Sequence, residues 1–103
     1  MMNAPLRQRL PNRRLCESFS FGCEGLPYSC TLSRFQDGRI AELFISNHKA
    51  GSHADSAAKD SAVVASIALQ HGVPVDVIRR ALLRNSQGKA SSPLGVALDL
   101  IDS

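Results

Sequence analysis

The stretch YSCTLSRFQDGRIAELFI, Tyr28 to Ile45, decides the fold. Two runs rich in strand formers flank Asp37-Gly38, the strongest short hairpin signal, because a type I′ turn requires positive φ at both central residues. A two-residue turn there sets Gln36 opposite Arg39, Phe35 opposite Ile40, Leu32 opposite Leu43 and Cys30 opposite Ile45. One face then carries Tyr28, Cys30, Leu32, Ala41, Leu43 and Ile45 and is expected to meet helices. The other pairs Phe35 with Ile40 and Thr31 with Phe44.

Just upstream, CESFSFG, Cys16 to Gly22, alternates polar and apolar residues as a half-buried strand does. It adds Phe19 or Phe21 beside the outer face, and Gly22 to Pro27 reads as a loop. That outer face is unusually apolar for one that meets water. Either the N-terminal segment folds across it or another chain covers it. The second reading makes Phe19, Phe21, Phe35, Ile40 and Phe44 a partner face, and the unpaired edge of so small a sheet points the same way, to a homodimer.

Downstream, NHKAGS, Asn47 to Ser52, reads as a turn, and from His53 the period becomes helical through Ala54, Ala57, Ala58, Ala62, Ala65, Ala68 and Leu69. Asp55 suits the first turn of that helix and Gly72 ends it. Pro74 then starts a second helix, in which VDVIRRALLR puts Val75, Ile78 and Leu82 on one face and Arg79, Arg80 and Arg84 elsewhere. After the turn NSQGKA, Ser92 caps a third helix with Pro93 at its first position and Leu94, Ala97, Leu98 and Ile101 along one stripe. The order β-β-β-α-α-α describes an α+β fold: a small antiparallel three-stranded sheet with three helices packed on one face.

Composition bounds the function. A chain of 103 residues forms one domain, taken here as 14–103 with 1–13 as a basic N-terminal tail, and 44% hydrophobic with 20% charged residues excludes general disorder. It is too small for the barrel or two-domain cleft of most cofactor enzymes, and no catalytic residue is assigned. No apolar run approaches the ~20 residues of a membrane helix, and the N-terminus lacks the apolar centre of a signal peptide, so a cytoplasmic protein with no membrane contact is expected. Cys16, Cys23 and Cys30 form no CxxC pair, and His48 and His53 match only the second half of a zinc-finger spacing, so no metal site is assigned.

The net charge of +3 is uneven, with Arg7, Arg9, Arg13 and Arg14 close together. Such an arm, helped by Arg79, Arg80 and Arg84, suits a nucleic-acid binder, although a solvated, flexible terminus is preferred over that reading. Gly88-Lys89 is followed by Ala90, which rules out a Walker phosphate loop. Two helix starts remain as anion or nucleotide sites: Lys89, Ser91 and Ser92 ahead of the amides of Leu94, Gly95 and Val96, and Lys49 with Ser52 in NHKAGSHAD. For both, ordinary capping is the competing account.

The order DGRIAELFI, NHKAGS, an alanine-rich helix running into SIALQHGVPVDVIRRAL, and GKASSPLGVALDLI resembles the TSCPD domain over about residues 12–102. That domain stands at the C-terminal end of many adenosylcobalamin-dependent ribonucleotide reductases and also occurs as small free-standing bacterial proteins. The Thr-Ser-Cys-Pro-Asp of its name corresponds here to Ala90-Ser91-Ser92-Pro93-Leu94, so the cysteine and the aspartate are missing, with any metal or redox role they had. The resemblance implies a non-catalytic accessory or regulatory domain, without the reductase barrel. Its partner would be a ribonucleotide reductase catalytic subunit or a nucleotide of deoxynucleotide metabolism. Adenosylcobalamin would be met only on that separate chain.

Overall fold

The computed structural model describes residues 6–8, 10 and 15–101. Strands β1 (Cys16–Cys23), β2 (Leu26–Arg34) and β3 (Ile40–Asn47) precede helices α1 (His53–Gln70), α2 (Val75–Ala81) and α3 (Pro93–Leu100). The sheet is antiparallel in the order β1-β2-β3. This is the α+β arrangement expected from the sequence.

Both hairpins depart from their expected turns. Glu24 and Gly25 carry φ of 52° and 75°, the pair of positive angles that a type I′ turn needs. Gly22 to Pro27 is therefore mostly strand, with Cys23 paired to Leu26 and Gly22 to Pro27. At the second hairpin only Gly38 is left-handed, with φ 92°. Gly38 N–H donates to Phe35 C=O at 2.9 Å and Phe35 N–H to Arg39 C=O at 2.8 Å, which makes a three-residue loop closed by a glycine bulge. Arg34, not Phe35, therefore pairs with Ile40. A register shift at Ser33/Arg34 leaves Ala41 as the extra residue, and beyond it Leu32 faces Leu43 and Cys30 faces Ile45 as predicted.

The expected phenylalanine face does not form. β1 pairs Phe19 with Cys30 and Phe21 with Tyr28, so both rings stand on the helix side, packed against the core. Ile40 belongs to the core, and Phe35 is buried with the Arg39 guanidinium 4.9 Å above its ring. The outer rows are Ser18–Thr31–Phe44 and Ser20–Ser29–Ser46, in which Phe44 alone is aromatic. The first strand's register, which the hairpin sequence does not contain, decides this outcome.

α1 covers the helix side with Ala58, Ala62, Ala65 and Leu69, and small side chains let it approach β3 closely. Its polar residues on the same stripe reach the free edge of β3. Asp55 accepts from Asn47 N–H at 2.9 Å, Ser66 bonds both backbone groups of Leu43, and Gln70 Nε2 donates to Ala41 C=O at 3.0 Å. A helix thus takes the place of a fourth strand. Gly72, with φ 91°, closes α1 in a Schellman motif: Val73 N–H reaches Ala68 C=O and Gly72 N–H reaches Leu69 C=O. α2 ends at Ala81, short of the expected Arg84, because Arg84 leaves the helix to bridge to Ala90. Among the described residues no helix is long and apolar enough to cross a membrane.

Candidate functional site

Both small-residue loops singled out in the sequence gather at the end of the sheet that carries the Glu24-Gly25 turn. His48 N–H donates to Pro27 C=O at 3.2 Å, which ties the loop ahead of α1 to the start of β2. Cys23 Sγ lies 3.9 Å from Ser91 C=O, which ties the loop ahead of α3 to the end of β1. Lys49 and Ser52 therefore share this end of the molecule with Ser91 and Ser92.

The loop ahead of α1 is organised around a buried carboxylate. Asp55 accepts from Asn47 N–H at 2.9 Å and from Gly51 N–H at 3.2 Å, and its other close contact is Lys59 Nζ at 2.9 Å. Asn47 Oδ1 accepts from Lys49 N–H at 2.8 Å, while Ser52 Oγ donates to Lys49 C=O and accepts from Asp55 N–H. The Lys59 hydrogen bond, joined by the Asn47 and Gly51 amides, holds the Asp55 carboxyl below its ordinary pKa against the upward push of burial. An anion drawn to this helix start would meet a place already filled by the chain's own negative charge. Lys49, itself exposed, thus serves the loop's internal bonding through its backbone, and Ser52 is the cap.

The loop ahead of α3 repeats the turn of the second hairpin. Gly88 N–H donates to Asn85 C=O at 3.0 Å, Asn85 N–H to Lys89 C=O at 2.8 Å, and Gly88 has φ 80°. Asn85 Oδ1 adds bonds from Gln87 N–H and Lys89 N–H. Ser91 N–H then donates to Leu83 C=O, and Ser92 Oγ caps α3 by accepting from Gly95 N–H at 3.2 Å. Val96 N–H is also engaged, on Ser92 C=O. Of the amides proposed to hold an anion, those of Gly95 and Val96 are already bonded within the chain, and Lys89 projects from an exposed turn. Capping is what the geometry builds from Ser92-Pro93.

The remaining chemistry-bearing residues are dispersed. Burial pushes the Cys30 thiol up to about 11, and burial with the nearby Glu24 charge raises that of Cys23, so neither is a ready nucleophile. Among the described residues no three His, Cys, Asp or Glu side chains stand close enough to hold a metal. Arg79 spends its guanidinium on the C=O groups of Leu98 and Ile101, and Arg84 makes a bidentate pair with Asp99 at 2.8 and 2.9 Å. Arg7 donates to Gln70 Oε1, whereas Arg9, Arg13 and Arg14 lie outside the described residues. Arg80 is exposed.

Sequence reasoning missed Asn47. It lies on the helix-side row with Tyr28 and Phe21, and among the described residues its buried Nδ2 meets no hydrogen-bond partner. A strand-end asparagine carries no signal of this in the sequence. A groove of about 510 Å³ runs between α1 and α2 along Val64, Ala68, Val77, Ile78 and Leu82. Apart from Asp60 and Ser61 its lining is apolar.

A family model described as "TSCPD domain" matches residues 14–101. Similar curated proteins are vitamin B12-dependent ribonucleotide reductases. That of Agrobacterium fabrum is 36% identical over 70 residues, covering 68% of this chain and 6% of that protein. That of Rhodopirellula baltica is 35% identical over 74 residues, covering 72% and 7%. That of Bradyrhizobium diazoefficiens is 33% identical over 70 residues, covering 68% and 6%. The chain thus spans only 6–7% of the length of these relatives. No solved structure matches.

Proposed function

The chain belongs to the TSCPD domain family, and from that premise we propose that it is a non-catalytic accessory or regulatory module of deoxynucleotide metabolism, acting by binding a protein partner or a nucleotide. The observation that carries this reading is the match itself: a small part of each vitamin B12-dependent ribonucleotide reductase corresponds to most of this chain. Both helix starts are taken up by capping, so the polar groups there are committed to the fold, which weighs against chemistry at either loop and turns the reading toward contacts elsewhere on the surface. Exposed Val63, Val64 and Val77 on α1 and α2 support a protein partner, for which a reductase catalytic chain is the first candidate. Adenosylcobalamin would belong to that chain. The thiols of Cys16, Cys23 and Cys30 are all free, in keeping with a reducing cytoplasm.

The test is titration calorimetry against a vitamin B12-dependent reductase whose own TSCPD segment has been removed, together with a thermal-shift series over ribo- and deoxyribonucleotides. Saturable binding to the reductase, or a melting temperature that rises with one nucleotide, is expected. Neither response across both series overturns the reading. Binding to DNA or RNA that weakens steeply with salt would instead establish the nucleic-acid alternative.

A further inference from the structure

The two edges of the sheet are finished differently. The β3 edge is filled by Asp55, Ser66 and Gln70 of α1, whereas among the described residues no hydrogen bond reaches the outward backbone of β1. Which groups of β1 point outward follows from the ladder. Leu43 turns both its N–H and C=O to Ser66, away from β2, so Leu32 must turn its own toward β1. Glu17, Phe19 and Phe21 then bond β2, and Ser18, Ser20 and Gly22 present N–H and C=O to the open edge. Phe19 and Phe21 stand over that edge only half buried, their ring centroids 5.8 Å apart and Phe21 stacked 5.6 Å from Tyr28.

We propose that the β1 edge pairs antiparallel with β1 of a second copy of this chain, about a two-fold axis at Ser20, joining the two sheets into one. The strand is complementary to itself in that register. Ser20 meets the partner's Ser20, Ser18 meets the partner's Gly22 with outward groups facing each other, and Phe19 meets the partner's Phe21 on the helix side, which completes the burial of both rings. One strand and two rings per copy make a small interface, so the dimer dissociates on dilution.

Proline at Ser20 tests this cleanly, because it removes an N–H that points away from β2. Light scattering across a dilution series should give twice the 11.1 kDa of one chain at the concentrated end for the wild type, and 11.1 kDa throughout for Ser20→Pro with an unchanged circular dichroism spectrum. A second measurement does not depend on that variant folding. In a Cys16→Ser background, Ser20→Cys should cross-link under mild oxidation, because directly paired Cα atoms about 5.5 Å apart suit a disulfide, while Phe44→Cys, on the same face but on β3 at the opposite edge, should not. A wild type that stays monomeric at every concentration, a dimer that survives Ser20→Pro, or Ser20→Cys cross-linking no faster than Phe44→Cys would each overturn the proposal. A dimer insensitive to Ser20 would point to the Val63 and Val64 face of α1 instead.

Discussion

Ser66 Oγ lies 2.9 Å from the Leu43 amide nitrogen and 3.0 Å from the Leu43 carbonyl oxygen, so one α1 hydroxyl meets both outward backbone groups of a wholly buried edge-strand residue. The same hydroxyl lies 2.8 Å from Ala62 C=O, which anchors it to its own helix. Ser66→Ala keeps the helix and the packing volume but leaves the Leu43 N–H without an acceptor in a dry place. A loss of about 1–3 kcal/mol in urea unfolding is expected, since an unmet buried donor costs its full desolvation. A loss below about 0.5 kcal/mol would mean that the α1–β3 seam admits water.

Asp55 contributes to the acid limb of stability, as Asp37 and Asp99 do through their arginine partners. Its carboxyl titrates below the ordinary 3.8 because Lys59 and the amides of Asn47 and Gly51 favour the charged form. In the interval between the folded and unfolded pKa values the unfolded chain binds more protons, so stability rises with pH. The contribution is complete above the ordinary carboxylate value and is lost as pH falls through the lowered one. Asp55→Asn should be less stable at neutral pH and show a flatter decline below about pH 4, read as urea midpoints at a series of pH values. An acid limb of unchanged slope would remove Asp55 from this role.

The fold was legible where local chemistry sets it. The pattern Cys30, Leu32, Leu43 and Ile45 names the core face, and Ser52 and Ser92-Pro93 mark helix starts that the structure uses as such. What escaped depends on registers that no single segment encodes. The three-residue loop at Gly38 and the extra residue Ala41 offset each other, so the predicted core pairs survive although the Phe35–Ile40 pair does not. The phenylalanine face failed because β1 is set by the Glu24-Gly25 turn, a sequence with a weaker hairpin signal than Asp-Gly. Ser66 and Gln70 were invisible as edge seals because a polar residue on an alanine stripe reads as a defect until the strand beside it is known.

Gly95 is fixed by packing, at an ordinary helical angle. A Cβ there would lie 2.9 Å from Ala90 Cβ and 3.3 Å from Ser92 Oγ, inside van der Waals contact with the first and tight against the cap. Alanine would gain about 1 kcal/mol of helix propensity, but overpacking of this kind costs about 1–3 kcal/mol and also disturbs the Ser92 bond to Gly95 N–H. Gly95→Ala should therefore destabilise, and Ala90→Gly in the same chain should recover most of the loss. Thermal melts of the two single variants and the double variant give the coupling directly. Simple additivity would show that Ala90 is not the obstacle.

Arg79 separates structural from nucleic-acid-binding roles for the arginines. Its Nε donates to Leu98 C=O at 2.8 Å and its Nη2 to Ile101 C=O at 2.8 Å, while Nη1 holds Asp76 at 2.7 Å, so a planar fork closes the C-terminal end of α3. Arg79→Lys keeps the charge and removes the fork. The melting temperature should fall by about 4–8 °C for each kcal/mol lost, with about 1–2 kcal/mol expected, and amide exchange over the last turn of α3 should quicken. Any salt-sensitive association with nucleic acid should stay at its wild-type strength, because it responds to charge and not to the fork. An unchanged melt combined with weakened nucleic-acid binding would reverse this assignment and make Arg79 a contact residue.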